Sequence, residues 1–153
     1  MKTSSATITV LSILFLTLSL PTTANANTIA IQTIIGEASQ EPLPGQIAVA
    51  EVIRLRASIG GWWGSSFKYV CLNPFQFSFW NNKSHYQKRI LSMTGQEWQR
   101  AGRAWAESEF TNYSNGATHY ENIKAFGDPK WKRDMKEVAR IGKHVFYREK
   151  WRK

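Results

Sequence analysis

Thr28-Ile29-Ala30-Ile31-Gln32-Thr33-Ile34-Ile35-Gly36-Glu37-Ala38-Ser39, closed by Glu41-Pro42-Leu43-Pro44-Gly45, is the stretch on which the fold turns. Ile31, Ile34, Ile35 and Ala38 recur at helical spacing, which predicts an amphipathic helix over 28–39. Two prolines and a glycine then prevent its continuation. A second helix is predicted from about Gly45 to Ala57, burying Ala48, Val49, Val52, Ile53 and the aliphatic stem of Arg56. A carboxylate, Glu37, therefore stands at the end of an isoleucine-rich helix, beside a broken loop.

Downstream, Gly60, Gly61 and Gly64 surround Trp62 and Trp63 and mark a loop. Asn73-Pro74 signals a turn. Phe75 to Trp80 alternates large apolar and polar residues and reads as a short extended segment lining a cleft. Thr94-Gly95-Gln96-Glu97 fits a capping box that starts a third helix, with Trp98, Ala101, Ala104, Trp105 and Ser108 on one face. Asn115-Gly116 is a turn before a strand candidate, Ala117 to Tyr120. Val138 to Tyr147, folded about Gly142-Lys143, reads as a hairpin. The pattern predicts an α+β fold, a helical body with a short antiparallel sheet near the C-terminus.

Upstream, Lys2, the apolar run Ile8–Leu20, Pro21 and Ala24-Asn25-Ala26 have the layout of a secretory signal peptide over 1–26, cut after Ala26. The run is shorter than the roughly 20 residues of a membrane span. A single domain over 27–153 is expected, exported to the periplasm or the extracellular cell wall, touching membrane only through the transient leader. Removing Lys2 from the 20 basic side chains leaves 19 against 11 acidic, a net charge of +8. Such a surface attracts polyanions, and for an exported chain these are the polymers of a bacterial envelope. Arg148 to Lys153 is the densest basic cluster. A nucleic-acid binder would share the charge, but the leader argues against it. Cys71, the only cysteine, stands among apolar residues and reads as a buried thiol, not a nucleophile. His85, His119 and His144 are too far apart in sequence to show a zinc-ligand spacing, so no metal or cofactor is expected.

Glu37 suits general acid chemistry. A carboxyl against low-dielectric surface keeps its proton to higher pH, because its charged form loses hydration, and the negative helix end acts in the same sense. That property lets an acid protonate a glycosidic oxygen. A solvated glutamate at a helix end is the bland alternative. Ordinary glycosidases use two carboxylates. Glu41, Glu51 and Asp128 are poorly placed for that role, Glu121 is the best partner, and no obvious dyad appears. Trp62, Trp63 and Trp80 are candidates for packing on sugar faces, whereas Trp98 and Trp105 read as core.

Three blocks stand in order. The first is Ile35-Gly36-Glu37-Ala38 with Glu41-Pro42, Gly45-Gln46 and Ala48-Val49-Ala50. The second is Gln76-Phe77-Ser78 with Trp80 and Asn81. The third is Thr118-His119-Tyr120 with Asn122, followed by Ile141-Gly142-Lys143-His144-Val145-Phe146-Tyr147. Over Ile31 to Tyr147 the chain resembles the cell wall hydrolases related to the spore-cortex-lytic SleB and CwlJ enzymes. The resemblance implies a lysozyme-like fold and cleavage of peptidoglycan glycan strands between N-acetylmuramic acid and N-acetylglucosamine, as a lytic transglycosylase. It places the motif glutamate on Glu37, and Gln76, Phe77, Ser78, His119 and Tyr120 along the glycan groove, to which the reading of the aromatics adds Trp80. A lone acid/base suits that reaction, and a monomer is expected. One departure is Leu55-Arg56, where the family commonly carries Asn-Arg. A non-catalytic module binding peptidoglycan or another polyanion would also account for the charge and the aromatics.

Overall fold

The computed structural model describes residues 22–122 and 130–151, with side chains from Ala26 onward. The leader's apolar run, Asp128 and the last two residues lie outside the described residues. Five α-helices precede a small sheet. They are α1 (Thr22–Ala38), α2 (Leu43–Ile59), α3 (Phe67–Leu72), α4 (Lys83–Leu91) and α5 (Gly95–Glu107). The strands are β1 (His119–Asn122), β2 (Met135–Ile141) and β3 (His144–Glu149). They pair antiparallel in the order β1-β3-β2. The architecture is the expected α+β one, with a helical body and a short sheet near the C-terminus.

The helix α2 sits at the centre. Every residue from Gly45 to Ile53 is buried, because α1, α3 and α5 all pack against it. A helix enclosed on all sides must be apolar or polar-satisfied on all sides. Gln46 meets that demand by donating to the Glu41 carbonyl at 3.3 Å. Glu51 accepts from Thr111 Oγ1 and from the Tyr113 and Ser114 backbone amides at 2.7, 2.9 and 2.6 Å. Pro44 is tolerated in the first turn of α2, where its missing N–H has no intrahelical partner. α1 contributes Ala30, Thr33, Ile34, Ile35 and Ala38 to the core. The capping box of α5 is present, with Thr94 and Glu97 each bonded to the other's backbone. The sheet closes the core through Phe146, with Tyr120, Val138, Ala139 and Ile141 packed beside it.

Two expectations need correction. The segment from Phe75 to Trp80 is not extended. Phe75 has a φ of 66°, and Ser78–Trp80 is a single 3₁₀ turn. Phe77 and Phe79 are both buried, and among the described residues the segment pairs with no strand. Trp63 is not a sugar platform. It is 3% exposed, lying over the Arg56 guanidinium with its edge toward His119.

Candidate active site

Glu37 lies one residue before the end of α1, and its carboxylate is held by three donors. Oε1 accepts from the Ser78 hydroxyl at 3.0 Å and the Phe79 amide at 2.7 Å. Oε2 accepts from the Tyr120 phenol at 3.0 Å. The donors come from the 3₁₀ turn and from β1, so two segments distant in sequence fix one side chain. Gly36 explains how closely they approach. A Cβ at that position would stand 2.2 Å from Phe79 Cγ, so only glycine lets the Phe79 ring lie against α1 and bring its amide to Glu37.

A cleft of about 490 Å³ opens over this carboxylate. Such a volume falls in the range of small-ligand pockets, roughly 300–1,000 Å³. Gly36, Glu37, Arg56, Phe75, Gln76, Ser78, Tyr120, Glu121, Asn122, Trp131 and His144 border it. A larger hollow of about 630 Å³, near Ala26, Arg54, Ala57 and Phe67, contains no carboxylate. Glu37, Gln76, Ser78 and Tyr120 thus meet at one cleft. Phe77, Trp80 and His119 stand behind its surface instead. Phe77 is 2% exposed under Arg56 and Tyr120. Trp80 donates to Thr33 Oγ1 at 2.9 Å and packs on Phe79 and Tyr86. His119 is flanked by Trp63 and Trp131.

Arg56 is the residue that sequence reasoning undervalued. Its head group, and not only its stem, organises the site. The guanidinium is buried and donates to the Thr118 carbonyl at 2.8 Å and the Gln76 carbonyl at 3.2 Å. It also lies over the Trp63 and Phe77 rings. Burial pushes its pKa down to about 10, which leaves it cationic through the neutral range. The signal was a charged residue inside an apolar stripe, which snorkelling explains too easily. Burial, and then the Glu37 charge, raise the Tyr120 pKa well above the usual phenol range, so Tyr120 keeps the proton it donates to Glu37. Burial raises the Cys71 thiol to about 12, as befits an inert core residue.

The other carboxylates have separate duties. Glu41 is buried and accepts from the Lys143 amide at 2.9 Å, pinning the β2–β3 turn. Gly142 at that turn has a φ of 58°, and a Cβ there would meet Glu41 Oε2 at 1.9 Å. Glu121 borders the cleft, but its Oε1 is engaged by Lys132 Nζ at 2.5 Å and the Tyr147 hydroxyl at 3.0 Å. Among the described residues, no group of three or more His, Cys, Asp and Glu side chains is placed to hold a metal.

His119 gives the fold a pH dependence. Burial, and then the Arg56 cation, push its pKa down to about 4. The unfolded imidazole titrates near 6.5. Between these values the unfolded chain binds a proton that the folded chain refuses, so stability falls as pH drops through that window. The expected loss is on the order of 1–2 kcal/mol, discounted because part of the ring meets solvent. Melting curves from pH 7 to 4 test this: the Tm of His119→Gln should fall less steeply than that of wild type. Parallel slopes would remove His119 as the cause.

No curated protein matches the chain significantly. Among solved structures, the catalytic domain of the Bacillus cereus SleB protein is similar, with a TM-score of 0.66 at 23% identity, covering 82% of this chain and 91% of that one. The catalytic domain of the germination-specific lytic transglycosylase SleB from Bacillus anthracis gives 0.65 at 23%, covering 81% and 94%. At that identity the likeness shows the fold. A family model described as Cell Wall Hydrolase matches residues 40–147, beginning three residues after Glu37. By that match over most of its length, the chain belongs to the cell wall hydrolase family of enzymes acting on peptidoglycan.

Proposed function

We propose that the chain is an exported lytic transglycosylase cutting peptidoglycan glycan strands between N-acetylmuramic acid and N-acetylglucosamine, with Glu37 as its acid and base. The observation that carries this reading is a carboxylate in a cleft, that of Glu37, oriented by Ser78, Phe79 and Tyr120. Oε1 takes two donors, one of them a backbone amide that cannot reverse its role. Oε2 takes one, from a hydroxyl that can turn and accept. The transferred proton is therefore assigned to Oε2. Glu37 gives it to the leaving glycosidic oxygen as the bond breaks. The resulting carboxylate then takes the proton of the muramic C6 hydroxyl, whose oxygen closes onto C1 to form the 1,6-anhydro ring. Neither step needs a second carboxylate, which fits the engagement of Glu41 and Glu51 elsewhere and of Glu121 Oε1 by Lys132 and Tyr147.

Mass analysis of the fragments released from isolated sacculi tests the reading. Anhydro-muramic ends are expected. Reducing ends would convert the assignment to a hydrolase, and free stem peptides would sink both. Binding without release of fragments would leave a wall-binding module.

A further inference from the structure

The turn leading into Gln76 is built against local preference. The Gln76 amide donates to the Asn73 carbonyl at 3.3 Å, Pro74 holds the second position, and Phe75 at the third has a φ of 66°. This is the pattern of a type II turn, whose third position calls for glycine or asparagine. A bulky side chain there is an outlier, because its Cβ crowds the left-handed backbone. Burial does not offset the cost, since Phe75 is 89% exposed. Neighbouring bonds hold the residue in place: Asn81 Oδ1 accepts from the Phe75 amide at 3.2 Å, and Arg56 grips the Gln76 carbonyl. An exposed phenyl and a strained backbone thus coincide on one residue, and that residue borders the Glu37 cleft.

We propose that Phe75 is a substrate-positioning residue whose ring packs on the C–H face of a pyranose in the glycan strand bound over Glu37. Strain retained at a site bordering a cleft, by a side chain with almost no packing of its own, points to contact with a ligand. A phenyl ring offers an apolar face and no hydrogen bond, so its partner must present a flat apolar face, which a pyranose does. The inference deepens the glycan-cleaving reading and rests on it.

Phe75→Gly removes ring and strain together. Its Tm should rise by about 3 °C, because glycine accepts the left-handed backbone. Its KM for soluble glycan strands should rise roughly tenfold, with a much smaller change in kcat. Phe75→Trp should restore most of the affinity. Cosedimentation with sacculi, comparing Glu37→Gln with and without Phe75→Gly, reads binding without turnover and should show the same loss. Unchanged KM and cosedimentation would overturn the proposal. So would a Phe75→Gly protein whose Tm drops and whose activity loss follows its unfolded fraction. If the wild-type protein releases no fragments, the cleavage reading fails, and the cosedimentation pair still decides the role of Phe75.

Discussion

Glu37→Gln is expected to fold as the wild type does and to lose about a thousandfold or more of its rate on sacculi. The fold is spared because glutamine matches glutamate in size and in most of its bonding. The amide oxygen can still accept from Ser78 and the Phe79 amide, and the amide nitrogen can donate to Tyr120, whose hydroxyl also accepts. The transferable proton disappears, and a positioned general acid contributes roughly 10²–10⁴-fold. The loss should stand at the upper part of that range, since on the proposed mechanism the same group serves both steps. Glu37→Ala would confuse the result by leaving the Phe79 amide unpaired. A Glu37→Gln protein that melts like wild type and clears sacculi at the wild-type rate would remove Glu37 from the mechanism.

Arg56→Leu is expected to cost about 3 kcal/mol of stability, a large share of the roughly 5–15 kcal/mol that holds a small domain. Replacing a buried ion pair by apolar residues can be harmless, because both partners leave together. Here the acceptors are backbone carbonyls of Thr118 and Gln76, which no substitution at Arg56 removes. The Thr118 carbonyl would remain buried and unpaired, at about 1–3 kcal/mol, and the half-buried Gln76 carbonyl would lose its partner. The stacking of the guanidinium over Trp63 and Phe77 is lost as well. Urea melts measure the effect, and a midpoint shift worth less than about 0.5 kcal/mol would show that Arg56 does not organise the core.

Three helices were legible, α1, α2 and α5, and the short α3 and the exposed α4 were missed. α1, α2 and α5 announce themselves by apolar spacing, the proline break and the Thr94–Glu97 cap. α4 has no buried residue, so periodicity had nothing to register. It is held by the Asn82 cap, by aromatic contacts of Tyr86 with Phe79 and Trp80, and by the Arg89–Glu97 ion pair, all matters of tertiary placement. The hairpin about Gly142 was legible because apolar residues flank Gly142-Lys143, and Gly142 takes the left-handed φ of 58° that the turn requires. At the site, residue type singled out Glu37 only as a plausible acid. Tyr120 came from the order of the blocks, since a phenol 83 residues away leaves no local trace at Glu37. The Phe75–Trp80 alternation misled because buried Phe77 and Phe79 imitate one face of a strand.

The donors to Glu37 lie 41, 42 and 83 residues further along the chain. On the proposed role, the cutting tool is therefore latent in the polypeptide until the last third of it has docked. A chain stopped before Tyr120 contains the glutamate, the glycine beside it and the whole helical body, yet holds the carboxylate from one side only. On that role assembly itself acts as the arming step, because a chain stopped there lacks the Tyr120 bond to Glu37 Oε2.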